Sequence, residues 1–140
     1  MTGIVILGVA VVVAAGFGLF RRVTDGRFAA EAVSETWGHV TAALPRESLG
    51  ERATLVQFSS AFCAPCRTTR VVLADVAERE DGVRHVEIDA EKHLDLVRAL
   101  DVRRTPTTLV LDARGHEVAR AAGAPQRGQV LAALPTGAAS

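Results

Sequence analysis

The sequence predicts an α/β fold, a central mixed β-sheet flanked by helices, preceded by one N-terminal transmembrane helix. Three observations carry this. Gly3 to Phe20 contains no charged or strongly polar side chain. From Ala53 onward, apolar patterns alternate between strand and helix periods. Near the end, two strand-like runs flank the turn Asp112-Ala113-Arg114-Gly115, so the sheet closes with an antiparallel hairpin. These features divide the chain into an anchor (1–22), a connector with short helices (23–50), an α/β domain (51–135) and a flexible tail (136–140).

The apolar run extends for about 27 Å as a helix at ~1.5 Å per residue, close to the ~30 Å hydrocarbon core of a bilayer. A secretory signal would show a basic start, a shorter apolar stretch and a small-residue cleavage site. Here Met1-Thr2 carries no basic side chain, and the polar boundary is Arg21-Arg22. An uncleaved single-pass anchor is expected, with membrane contact through residues 3–20. Arg21, Arg22 and Arg27 follow the span, and no basic side chain precedes it. The positive-inside rule then places the C-terminal domain on the cytoplasmic side, with an outward-facing domain as the alternative.

In the connector, Phe28, Val33, Trp37, Val40 and Leu44 stand near helical spacing, which predicts a helix over Ala29 to Leu44, stopped by Pro45. A further short turn is expected over Arg46 to Gly50. Trp37 is expected to pack on the domain. Ala53 to Phe58 reads as a buried strand and Ala64 to Arg79 as a helix with Val72, Leu73, Val76 and Ala77 inward. Val83 to Ile88 reads as a strand, Lys92 to Leu100 as a helix, and Thr107 to Leu111 and Glu117 to Ala121 as strands. Pro125 to Leu134 reads as a last helix with Pro125 in its first turn. The order is β-α-β-α-β-β-α, and its βαβ part requires a parallel pair with a right-handed crossover.

Cys63-Ala64-Pro65-Cys66 holds both cysteines of the chain. Two cysteines this close can form and reopen a small disulfide ring, which makes them a candidate two-electron centre for thiol–disulfide exchange. Cys63 falls where a strand ends and a helix begins. Backbone N–H groups and the helix dipole there favour a thiolate, the attacking form. Cys66, one turn on, is placed to resolve the mixed disulfide, and Pro65 sits where a missing N–H costs little.

Other classes fit poorly. Basic and acidic side chains number sixteen each, so no basic excess points to nucleic acid. A closed zinc site needs four ligands, and His39, His85, His93 and His116 show no paired spacing beside the single cysteine pair. No metal, nucleotide or flavin is expected, and a monomer is expected.

The segment Thr54 to Cys66 resembles the active-site strand and turn of the thioredoxin family. Val83 to Asp89 is similar to the next strand of that family. Val102-Arg103-Arg104-Thr105-Pro106-Thr107 resembles its cis-proline segment, and Gly123 its final strand-to-helix turn. The likeness covers about Arg52 to Leu134. With its N-terminal anchor, the whole chain resembles small membrane-anchored thioredoxin-like proteins of actinobacteria. The resemblance implies that Thr105-Pro106 is cis, lies beside the cysteines and turns the Thr105 backbone outward to pair with an extended substrate. It implies a protein-disulfide oxidoreductase, a reductase of redox homeostasis, whose partners are protein disulfides and a thiol electron donor. A redox-inactive docking module and an outward-facing protein of cytochrome maturation are the alternatives.

Four departures concern tuning. Gln57 stands where the family commonly has a buried Asp, and it cannot titrate. His85 stands where a Lys commonly faces that Asp. Phe62 replaces a Trp and Ala64 a Gly, and with Pro65 they bear on the potential. The family's first strand is not visible between Ala29 and Gly50.

Overall fold

A computed structural model describes residues 1–136, with residues 29–35 given by their backbone course. The elements in order are α1 (Thr2–Thr24), β1 (Ala29–Glu35), α2 (Trp37–Ala43), β2 (Ala53–Ser59), α3 (Ala64–Arg79), β3 (Val83–Asp89), α4 (Leu94–Ala99), β4 (Thr107–Asp112), β5 (His116–Ala122) and α5 (Arg127–Ala133). From Ala53 the predicted order holds. The strands form one mixed sheet in the order β1-β5-β4-β2-β3. Only β2 and β3 run parallel, joined through α3, while β2–β4, β4–β5 and β1–β5 are antiparallel.

The interior position of β2, between β4 and β3 and covered on both faces, explains why its seven residues are all buried, the polar Thr54, Gln57 and Ser59 included. Its alternate residues feed two cores. Val56 and Phe58 join Val86, Ile88, Leu109 and Leu111 beneath Val40 of α2 and Leu96 of α4. Leu55 joins Val83 and Val110 beneath Leu73 and Val76 of α3 and Val130 of α5. Each such large apolar side chain contributes about 1.5–3 kcal/mol on burial. Strand β3 is an edge of the sheet, and its Arg84 and Glu87 are exposed, which discourages pairing with another chain.

The predicted helix over Ala29–Leu44 is corrected. Ala29–Glu35 is a strand, and the helix covers only Trp37–Ala43. The strand exists because β5 offers it a ladder, with Ala29 opposite Arg120 and Glu35 opposite His116. Backbone pairing at a distance outweighs local helical spacing there. A first strand is therefore present after all, attached to the β5 edge.

Trp37 packs on the core as expected, and its backbone N–H donates to the Gly115 carbonyl at 3.0 Å. The short turn falls at Pro45–Arg46 instead of over Arg46 to Gly50. Helix α4 starts at Leu94, because Asp89 accepts the Glu91 N–H at 2.9 Å and builds a turn first. Pro125 lies outside α5. Gln126 caps that helix, its N–H donating to Gln129 Oε1 at 2.8 Å. From residue 137 the predicted flexible tail lies outside the described residues.

Helix α1 presents its whole apolar surface outward, with no buried residue. Its length and composition suffice to cross a membrane, and a signal sequence would have the same properties.

Candidate redox site

The strand β2 ends at Ser59, and α3 begins at Ala64 with Pro65 in its first turn. Cys63 is the residue that caps α3, in extended conformation, so it stands at the positive end of the helix dipole. Cys63 and Cys66 form a disulfide with their Cα atoms 5.2 Å apart. Cys63 is 9 % exposed and Cys66 only 1 %. An incoming disulfide meets Cys63 first. Phe62, immediately before it, is fully exposed, while Ala64 and Pro65 are exposed on the helix start.

Beneath Cys66 lies a buried amide. Gln57 Nε2 donates to the Cys66 carbonyl at 2.9 Å and to Ser59 Oγ at 2.9 Å. A carbonyl only accepts, so the NH2 group must face α3, and Oε1 must face the other way. Oε1 lies 3.0 Å from His85 Nε2. His85 is therefore the donor in that contact, protonated on Nε2. Burial lowers its pKa below the usual 6.5, Arg70 adds to this, and Glu87 opposes it. The predicted tuning pair Gln57 and His85 is thus brought together under the resolving cysteine, as a neutral, hydrogen-bonded unit that ties α3 to the sheet. Across the β2–β4 ladder, Thr108 stands opposite Gln57. Its Oγ1 is buried and has no hydrogen-bond partner among the described residues.

Two clefts flank the disulfide. One, of about 410 Å³, is lined by Ser59, Cys63, Cys66, Arg67, Arg70 and Glu87 among others. There Arg70 grips Glu87 in a two-pronged pair, both contacts 2.6 Å. That hydrogen bonding holds the Glu87 carboxyl below its usual range. The other cleft, of about 520 Å³, runs past Pro65, Thr105 and Pro106. The Thr105–Pro106 peptide is cis. Ser60 Oγ and Thr105 Oγ1 are 3.1 Å apart, which fixes the proline segment to the cysteine loop. Pro106 is buried, and the β2–β4 ladder ends at Thr107, so the Thr105 backbone lies beyond the sheet.

The family model for thioredoxin matches residues 40–135, more than half of the chain. The chain belongs to the thioredoxin family. Relatives include a thioredoxin H4-1 of Oryza sativa subsp. japonica, 29 % identical over 102 residues that cover 71 % of this chain and 75 % of the rice protein. Thioredoxin H2 of Arabidopsis thaliana is 33 % identical over half of this chain and 52 % of its own length. A mutant thioredoxin from Halobacterium salinarum superposes with a TM-score of 0.56 at 23 % identity, covering 60 % of this chain and 73 % of the other. A reduced Schistosoma mansoni thioredoxin gives 0.54 at 21 %, covering 68 % and 86 %. At such identities the structural likeness carries the fold of a thioredoxin. In this thioredoxin-family chain the cysteine pair and the proline segment occupy one end of the sheet, as the sequence resemblance implied.

Sequence reasoning did not single out Ser59, Ser60, Arg70 or Glu87. A signal existed for two of them. Side chains two apart on a strand share a face, so Ser59 follows Gln57, and Glu87 follows His85, onto the side of α3. Arg70 reaches Glu87 only because α3 crosses over β3, which no local pattern reveals.

A pH effect follows from His85. Its pKa is lower in the folded chain than in the unfolded one, so below about 6.5 the unfolded chain takes up a proton first. Stability is full above that pH and declines as pH falls towards the lowered value. In His85→Gln, Tm should fall less between pH 7.5 and pH 5.5, about the ordinary histidine range. The same slope in parent and variant, by calorimetry, would remove His85 as its source.

Proposed function

We propose that this chain is a membrane-tethered thiol–disulfide oxidoreductase that reduces protein disulfides on the cytoplasmic side. The observation that carries the chemistry is the Cys63–Cys66 disulfide at the start of α3, with the more exposed sulfur on the helix cap and the buried one a turn inside. In the reduced chain, the Cys63 thiolate attacks one sulfur of a substrate disulfide. A mixed disulfide forms, and the other substrate sulfur leaves as a thiolate that takes a proton from water. Cys66 then loses its proton and attacks Cys63 Sγ. The Cys63–Cys66 bond forms, and the substrate leaves with its second thiol. Two electrons have moved from the pair to the substrate, and a dithiol donor must return them.

Phe62 supplies an apolar contact beside the reacting sulfur, and the Thr105 backbone beyond the sheet supplies main-chain groups for an extended segment. Gln57 cannot accept the Cys66 proton, so that proton leaves by the polar cleft of Ser59 and Glu87. The apolar surface of α1 and the basic flank Arg21, Arg22 and Arg27 support the anchor and its orientation.

The test is a redox titration of the full chain in detergent against glutathione and dithiothreitol buffers, with thiols counted by alkylation and mass. One two-electron transition is expected, its midpoint placing the pair as reductant or oxidant on a scale where ~30 mV is tenfold. Absence of any reversible transition would sink the oxidoreductase reading.

A further inference from the structure

The cleft past the proline segment has an unexpected wall. Besides Pro65, Thr105 and Pro106 it is lined by Arg21 and Arg22, the last basic residues of the apolar helix α1. The junction that holds them there is built closely. The Gly26 N–H donates to the Ala122 carbonyl at 2.9 Å, and the Gly123 N–H donates to the Pro106 carbonyl at 2.8 Å. Asp25 pairs with Arg104 at 2.7 Å, and Arg104 also holds the Ala122 carbonyl at 2.9 Å.

Gly26 has φ of +73° and Gly123 of +94°. A side chain on Gly26 would strike the Ala124 carbonyl and the Pro125 backbone. One on Gly123 would approach Gly26 and Asp25. Only glycine fits either position. Between the end of α1 at Thr24 and this lock lies a single residue, Asp25. The helix is therefore seated on the redox domain with no free linker, and its basic end forms part of the substrate cleft.

Arginines at the end of a spanning helix lie at the depth of the lipid phosphates. Among the described residues no carboxylate forms an ion pair with Arg21 or Arg22. Both remain available to headgroups, and these would hold the cleft against the bilayer surface. A thiol site so placed reaches sulfur atoms near the membrane and loses those held far above it.

We infer that the substrates are disulfides in juxtamembrane segments of integral membrane proteins, and that the rigid Asp25–Gly26 junction selects them. This rests on the membrane-tethered oxidoreductase reading. The exchange is the one balanced above, with the substrate disulfide reduced to two thiols and the Cys63–Cys66 pair oxidised.

The experiment uses the full chain in phosphatidylcholine–phosphatidylglycerol vesicles with dithiothreitol as electron source. The probes are single-span peptides whose two cysteines close a disulfide loop about three or about thirty residues beyond the span, a tether range over which effective concentration falls roughly as the −3/2 power of length. Insulin serves as a soluble probe. The near loop should be reduced roughly tenfold faster than the far loop, or more, on that scaling. A flexible Gly-Ser insertion between Thr24 and Asp25 should leave insulin reduction at the parent rate and bring the two loops within about twofold, since a long tether frees the site from the surface.

Equal rates on both loops by the parent chain would overturn the inference without any variant. An unchanged preference after insertion would overturn the role of the junction. Failure of the chain to float with vesicles would remove the anchor, and this inference with it. Flotation without reduction of insulin or either loop would instead remove the oxidoreductase reading.

Discussion

Cys66→Ala is expected to turn the chain into a trap. Cys63 keeps its place at the cap of α3 and still attacks, but no second sulfur remains to release the partner. Incubation with disulfide-bonded protein should give a mixed disulfide visible on non-reducing gels and cleaved by dithiothreitol, while turnover falls to the uncatalysed background. Cys63→Ala should lose both turnover and trapping, because the remaining sulfur is 1 % exposed beneath the loop. The asymmetry is the diagnostic. Equal trapping by the two variants would mean that burial does not assign the roles.

Glu117→Ala is expected to be the most damaging single change away from the cysteines. Glu117 is 3 % exposed on β5. Its carboxylate receives two Arg120 bonds, at 2.6 and 2.9 Å, and the Thr36 hydroxyl at 3.2 Å. Arg120 in turn donates to the Leu100 carbonyl at 2.7 Å, so the pair joins the β1–α2 corner, β5 and the end of α4. The change takes from Arg120 the carboxylate it grips with two bonds, and breaking a buried pair costs about 3–5 kcal/mol. Arg120 keeps some solvent, with its side chain 23 % exposed, so the lower figure applies. For a domain of this size that means a fall in Tm of roughly 10 °C or more. Glu117→Gln keeps a partner for Thr36 and should cost less. An unchanged Tm in the Ala variant would show that the pair contributes nothing to stability.

The β-α-β-α-β-β-α order was legible because each element from Ala53 onward carries its own periodicity and its own stop. Leu55 and Val56 face opposite cores, and Val86 and Ile88 stand two apart on one face of β3. The helix Ala64–Arg79 came out to the residue, since Pro65 marks its start and its inward side chains recur at helical spacing. The connector was misread. Its spacing between Phe28 and Leu44 fits a helix, and nothing local shows that β5 waits as a partner for Ala29–Glu35. Strand formation there is a property of two segments some eighty residues apart.

The candidate site divides in the same way. Cys63 and Cys66 stood out by type and spacing, because a pair able to close a disulfide ring leaves a mark in one dimension, while Pro106 entered through the resemblance of its segment to the thioredoxin cis-proline segment. The roles around them depend on approach between elements. Gln57 and His85 were singled out separately, yet only the fold places the His85 ring 3.0 Å from the Gln57 carbonyl and thereby sets which nitrogen carries its proton. Arg70 and Glu87 meet because α3 lies over β3.

What the sequence determined by itself was the kind of chemistry, the fold class and an apolar segment of membrane-spanning length, since each depends on residue type and short-range pattern. What only the tertiary structure decided was where that segment stands relative to the cysteines. Arg21 and Arg22 share a cleft with Pro106 because Gly26 and Gly123 let two stretches of backbone, nearly a hundred residues apart, come closer than any side chain would allow.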